Sequence, residues 1–330
     1  MFRIQPGFYS GALALVGLVL LAQETTFRSE SNVVLVPALV KDARGSAVYG
    51  LEAKDFVIED DGVEQPLRLD EEAEAEPVSI VLAIQTGRRA KREFPRIQGL
   101  HSMLGPILNQ PGAEMAILEF DSKFELTQDF TSNSDAIDQA LSELREGDNG
   151  AAILDATGYA VKLLNRKPKG RQRVLLLVSE TRDHGSHFET IDRVVTEIGE
   201  SNAVIYALTF SPSLSQVLDT ERGSNRDEMT GPPDLLAPLV MARNAMRKNV
   251  AQSVASMSGG EYELFATRKH FEDRMNSFTN HLHSRYLLSF QPKDPAPGLH
   301  HLAVQLRTAH DCSILSRTSY WAAGPGDSQP

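Results

Sequence analysis

The sequence has a single cysteine, Cys312, and a single tryptophan, Trp321, among 330 residues. One thiol excludes an intramolecular disulfide and any cysteine-built zinc site. Positive charge is in short supply as well: 33 Lys and Arg stand against 44 Asp and Glu, for a formal net charge of -11. With no long basic run, the chain offers nucleic acid no general electrostatic footprint. The G-x-G-x-x-G and P-loop patterns are missing, which removes support for nucleotide binding, and so is the G-x-S-x-G elbow of serine hydrolases. No internal repeat is visible. What is present, 41% hydrophobic residues over this length, suits one large domain and a small one.

The acidity is local. Residues 52–76 hold eleven acidic and two basic side chains, a charge of -9, ending in the run Asp70 to Glu76 (DEEAEAE). Residues 88–96 are the reverse, with Arg88, Arg89, Lys91, Arg92 and Arg96 against Glu93. The acidic run reads as a solvated linker, and a sharper expectation is that it contacts the basic stretch of the same or a neighbouring molecule. At the start of the chain, Arg3 precedes an uncharged stretch, 4–23, containing GALALVGLVLLA (Gly11 to Ala22). A short basic segment followed by such a run reads as a Sec-type export signal. Leu20 is bulky where a small residue would favour cleavage after Ala22, so an uncleaved N-terminal anchor is the alternative. The expected place of the protein is therefore periplasmic, envelope-associated or secreted, with the membrane reached only through that anchor.

The order of elements follows from hydrophobic patterning. NVVLVPALVKD (Asn32 to Asp42) and FVIEDDG (Phe56 to Gly62) predict strands of a small β unit, the second entering an Asp-Gly turn. VSIVLAI from Val78, RVLLLVSE (Arg173 to Glu180) and NAVIYALTF (Asn202 to Phe210) are unbroken apolar strands of the kind covered on both faces. EMAILEF and KFELTQDF add two more. A long helix-compatible stretch follows VSIVLAI as far as Asn109, and further helical patterns fall at residues 152–164, 189–201, 235–257 and 269–283, the one at 235–257 closed by Gly259-Gly260. Strands alternating with helices predict an α/β fold, a Rossmann-like doubly wound, mostly parallel sheet flanked by helices. RYLLSFQP and HHLAVQLR return the chain to β structure. The expected domain limits are a signal or anchor at 1–23, an N-terminal β unit at 27–70, an acidic linker at 71–77 and an α/β domain at 78–284. A C-terminal β segment at 285–322, packing with the first unit, and a disordered tail at 323–330 complete the chain. Residues 211–235, rich in Ser, Asp, Gly and Pro, read as a mobile loop.

These residues resemble a family of bacterial proteins, abundant in Acidobacteria, whose domain is related to the von Willebrand factor type A domain. The family's N-terminal signature is similar to LVPALVKDARGSAVYGLEAKDFVIEDDG, and its C-terminal signature to RYLLSFQP together with SRTSYWAA (Ser316 to Ala323). The resemblance implies a type A fold with a metal-ion-dependent adhesion site at the carboxyl edge of the sheet, built from D-x-S-x-S, a Thr and an Asp on three loops. Such a site needs hard oxygen ligands for Mg²⁺ or Ca²⁺. The matching positions here depart from that set: Gln85 replaces the Asp, Gly87 and Arg89 the two Ser, Ala151 the Thr, and Glu180 the Asp after the fourth strand. The expectation is a metal-free site in which Arg88 or Arg89 hydrogen-bonds Glu180 in place of an ion. The alternative retains a divalent ion on Glu180, Asp183, Ser179 and Asp155.

Other constellations are weaker. Asp183, His184 and His187 share the loop RDHGSH but match no strong metal motif. His281 and His283 point apart on a helix, and His300 and His301 face opposite sides of a strand. Cys312 reads as a packed thiol, and Trp321 beside Tyr320 as packing the last strand onto the β unit. The functional expectation is an exported, non-enzymatic module that binds an unidentified protein partner, without a cofactor. Its alternatives are a divalent-cation-dependent adhesion protein and an envelope hydrolase.

Overall fold

The computed structural model describes residues 33–70, 76–97, 99–210, 237–293, 295–308 and 311–324. The expected export segment, most of the acidic run, the Ser- and Pro-rich loop and the tail from residue 325 lie outside them. Among the described residues no helix is long and apolar enough to cross a membrane.

Four strands open the described chain: β1 (Val34–Lys41), β2 (Phe56–Asp60), β3 (Val63–Gln65) and β4 (Leu67–Asp70). The α/β domain follows with β5 (Val78–Gln85), β6 (Glu114–Phe120), β7 (Phe124–Thr131), β8 (Gln172–Ser179), β9 (Val204–Phe210) and β10 (Tyr262–Phe265). The chain closes with β11 (Tyr286–Phe290), β12 (Gly298–Leu306), β13 (Ser313–Ser316) and β14 (Ser319–Ala322). The central sheet has the order β10-β9-β8-β5-β6-β7, parallel except for the edge strand β7. It is the mostly parallel, helix-flanked sheet that the apolar strands predict. All eight residues of β5 are buried, and they alternate between two cores. Val81 and Ala83 face the helices Ile153–Asn165, Ile191–Glu200 and Val250–Ser258, whereas Ile80, Leu82 and Ile84 face Leu100–Leu108 and Arg268–Leu282. The period of two explains why the strand reads as one apolar run.

The terminal strands form a two-layer sandwich. One sheet runs β13-β1-β11-β4 and the other β14-β12-β2-β3, so each holds two strands from either end of the chain. Between them lie Val36, Ala38, Val40, Phe56, Ile58, Leu288, Phe290, Leu302 and Tyr320, with half-buried Cys312 packed alongside. Each large apolar side chain buried there contributes about 1.5–3 kcal/mol. The Asp-Gly turn joins β2 to β3 with Asp61 at φ 49° and Gly62 at φ 81°, the left-handed pair that a tight two-residue hairpin demands.

The structure corrects several expectations. The helix expected over 235–257 is two helices, Ala237–Lys248 and Val250–Ser258. Asn249 at φ -152° breaks the run because its side chain accepts the Gln252 N–H and caps the second helix. The helix-compatible stretch that ends at Asn109 is broken at Gly99, which stands in the left-handed region. Helix Ser134–Ser142, capped by Asn133, and strand β10 have weak apolar signatures and escape the pattern. Trp321 does not pack into the β unit. It lies against the α/β core, where a Cβ added at Gly199 would meet its own Cβ at 2.8 Å. Glycine at 199 thus admits the sandwich to the helix surface.

Two polar locks hold sandwich and α/β domain together. Buried Arg317 donates to four carbonyl oxygens, those of Leu35, Ser319, Ile198 and Gly199, the last two at the C-terminal end of a helix. A cation suits that end of the helix dipole. Burial lowers its pKa to about 10, which leaves it charged at neutral pH. In the second lock, Glu261 accepts from Lys41 of β1 at 3.1 Å and pairs with His281 Nδ1 at 2.9 Å.

Candidate functional site

The sheet reverses its winding direction at β5, which has β6 on one side and β8 on the other. Open α/β sheets bind ligands outside the carboxyl ends of their strands at such a point. Gln85, the last residue of β5, is buried there. Its Oε1 accepts the Glu180 N–H at 2.8 Å, and its Nε2 donates to the Gly87 carbonyl at 3.1 Å. One neutral amide therefore ties the first loop to the loop after β8.

Arg88 provides a second tie. Its Nε lies 3.1 Å from Glu180 Oε2, and its backbone N–H donates to the Asp148 carbonyl at 2.7 Å. Arg88 holds φ at 58°, a strained value for a side chain of this size. Glu180 is 6% exposed, so the pair is shielded enough for a charge-assisted bond. Arg89 is exposed and begins the short helical turn Ala90–Glu93; it is Arg88 that reaches Glu180. The rest of the basic stretch pairs locally, Lys91 with Glu146 and Arg96 with Glu93 at 2.5 Å. Residues 71–75, to which the stretch was expected to turn, lie outside the described residues.

The other loops close in tightly. A Cβ added at Gly87 would overlap the Gly150 carbonyl oxygen and come within 2.8 Å of Asp121 Cβ. Ala151, fully buried, is bridged through its backbone to His184, N–H to carbonyl at 2.6 and 2.8 Å. Asp183 Oδ1 accepts the Leu154 N–H at 3.0 Å and the Ser186 hydroxyl at 2.6 Å. Asp155, wholly buried, accepts three successive backbone N–H groups, those of His187, Phe188 and Glu189. Ser179 donates its hydroxyl to the Glu180 carbonyl at 2.8 Å. The loop RDHGSH is thus shaped by carboxylates that hold its backbone, and Phe188 stands 65% exposed at its end.

These residues do not assemble the hydroxyl ligands that the type A resemblance implies. Position 87 has no room for a hydroxyl, position 151 has none to offer, and the oxygens of Asp155 and Asp183 accept from backbone N–H groups and the Ser186 hydroxyl. One carboxylate oxygen, Glu180 Oε1, is buried without a hydrogen-bond partner, yet the guanidinium of Arg88 stands on the same carboxylate.

Another cluster escaped the sequence reading. His300, buried in β12, stacks on Tyr320 with centroids 4.9 Å apart, and its Nδ1 lies 2.8 Å from Asp61 Oδ2 and 3.5 Å from Asp60 Oδ1. The nearby Asp60 carboxylate, against the cost of burial, raises the His300 pKa to about 9. Burial and Asp60 raise the Tyr320 hydroxyl. His300 and His301 do face opposite sides, as strand neighbours must. Their partners are 240 residues away in sequence, and no local spacing announces them.

The fold and this loop cluster define an α/β-domain protein with its candidate site at the carboxyl edge of the sheet. Residues 87–183 match the model of the von Willebrand factor type A domain. Among solved structures, BatB of Bacteroides thetaiotaomicron is 11% identical, with 61% of this chain and 98% of that one covered and a TM-score of 0.39. The von Willebrand domain of the type V pili tip protein Mfa5 of Porphyromonas gingivalis is 10% identical, covering 62% and 94%, with a TM-score of 0.41. Proximal thread matrix protein 1 of the mussel byssus, with a zinc-occupied adhesion motif, is 12% identical, covering 69% and 50%, with a TM-score of 0.45. At these values the likeness concerns the outline of the fold alone. A search of curated proteins finds no match.

Proposed function

We propose that this chain is an exported, non-enzymatic interaction module of the bacterial cell envelope that grips a protein partner with the loops at the carboxyl edge of its type A sheet. In this reading the loops are joined by Gln85 and by the Arg88–Glu180 pair rather than by an ion. The observation that carries it is Phe188: an aromatic ring 65% exposed, on a loop whose backbone is fixed by buried Asp155. Rigid, exposed aromatic side chains on that edge are what protein interfaces use as anchors. Export rests on the apolar segment after Arg3, and envelope residence on the resemblance to the bacterial family. The partner is unidentified, and no cofactor enters.

A second reading keeps a divalent ion, Mg²⁺ or Ca²⁺, on Glu180, Asp183, Ser179 and Asp155; the unpartnered Glu180 Oε1 is the observation in its favour. Capture of the partner from envelope extract, with the wild type and Phe188→Ala, with and without a magnesium- and calcium-selective chelator, tests both. Capture that survives the chelator and fails with Phe188→Ala supports the proposal. Capture abolished by the chelator and restored by Mg²⁺ supports the ion. Labelling by a serine-reactive probe would instead revive a hydrolase.

A further inference from the structure

We propose that Asp60, Asp61 and His300 form a binding site for a divalent transition-metal ion of the zinc class at one edge of the β sandwich. The three residues come from the β2–β3 hairpin and from β12, the strand paired with β2. His300 Nε2 lies 2.6 Å from the Ala296 carbonyl oxygen. A carbonyl only accepts, so Nε2 carries the hydrogen, and Nδ1 is the atom turned toward the two carboxylates. A neutral imidazole would present its lone pair to two negative oxygens there, which is repulsive. A positive charge must lie between them, either a proton on Nδ1 or a metal ion.

The remaining atoms favour the metal. Asp60 Oδ2 accepts the Tyr320 hydroxyl at 2.9 Å, and Asp61 Oδ1 accepts the His301 N–H at 2.9 Å. Each ligand residue is thus oriented through its other polar atom, the arrangement that metal sites use to aim their ligands. One donor atom from each of the three residues lies within 4.8 Å of the other two, and His300 Nδ1 stands 2.8 Å from Asp61 Oδ2 and 3.5 Å from Asp60 Oδ1. Asp60 is only 9% exposed, and its Oδ1 has no hydrogen-bond partner, so a buried anionic oxygen is aimed into the cluster. Ligands on a tetrahedral zinc at about 2.0–2.1 Å stand roughly 3.3 Å apart, and the spacings of 2.8 and 3.5 Å bracket that value. One imidazole with two carboxylates selects a zinc-like ion over Mg²⁺ or Ca²⁺. Asp61 opens onto a pocket shared with Glu64 and Lys293, which leaves solvent access for a fourth ligand.

Calorimetric titration of the metal-stripped full chain with Zn²⁺ near neutral pH decides the matter. One Zn²⁺ per chain is expected. Asp61→Asn should weaken it at least tenfold, Tyr320→Phe by about tenfold through loss of the orienting bond, and Glu180→Gln not at all. Asparagine tolerates the left-handed backbone of position 61 and keeps the bond to His301, so the variant should melt like the wild type without metal. Should it melt lower, Tyr320→Phe and the visible absorption of bound Co²⁺ carry the decision. No Zn²⁺ bound, equal affinity in Asp61→Asn, or loss of binding in Glu180→Gln would overturn the site and leave a proton as the occupant.

Discussion

Arg88 Nε donates to Glu180 Oε2 across 3.1 Å, joining the loop after β5 to the loop after β8. In the proposed reading this pair, rather than an ion, ties the two loops. Because Arg88 is partly open to solvent, the bond belongs at the lower end of the range for charged hydrogen bonds. A double-mutant cycle with Arg88→Ala and Glu180→Ala should give a coupling of about 1–2 kcal/mol by urea unfolding. A coupling near zero would mean that the two side chains merely lie close together.

Gly87 leads to a sharper expectation, since it occupies a serine position of the adhesion motif. Gly87→Ser supplies a ligand oxygen but drives its Cβ into Gly150 and Asp121. Thermal unfolding should show a loss of about 2–3 kcal/mol. Calorimetry of the folded variant should show no Mg²⁺ or Mn²⁺ binding, and a gain of binding would overturn the reading of a filled site.

The lock made by Arg317 depends on its fork of donors. Arg317→Met leaves four buried carbonyls without that donor, and a loss of about 3 kcal/mol or more is expected. Arg317→Lys, a point charge with another reach, should recover only part of it. Limited proteolysis should reveal whether the sandwich loosens first, with cuts in the terminal strands preceding cuts in the central sheet.

Acid stability should report on Glu261. Burial pushes its pKa up, but the hydrogen bond and charge of His281 and the charges of Lys41 and Arg285 outweigh burial and hold it below the ordinary 4.5. A carboxyl depressed in the folded state stabilises fully above 4.5 and loses that contribution as pH falls through the folded value. Glu261→Gln should therefore be less stable than the wild type at neutral pH, and the two unfolding curves should converge below 4.5. Glu263, raised chiefly by burial, acts with opposite sign in both proteins. Parallel curves down to strong acid would contradict the assignment.

The sequence was most readable where chemistry is local. β5, β8 and β9 announce themselves because both faces are covered, and the Asp61-Gly62 turn because its backbone must be left-handed. The tie from Gln85 to the loop after β8 could not be read from the sequence, since it depends on the two loops meeting in space. Nor could the use of Arg88 rather than Arg89, which depends on φ at one position. Trp321 was misplaced because its partner is a missing side chain, the hydrogen of Gly199, which no apolar pattern displays. The cluster at His300 stayed hidden because its carboxylates lie 240 residues earlier in the chain.

The interleaved sandwich also bears on how the molecule comes into being. Each of its sheets combines two of the strands β1–β4 with two of β11–β14, so neither sheet can close until β11–β14 have been synthesised. The central sheet between them has its own strands and helices and can form first. The β2–β3 hairpin can pair within itself, but β1 and β4 must wait for β11 and β13 to arrive. Deletion of β11–β14 would leave β1, β2 and β4 with exposed edges, which invites pairing with another chain.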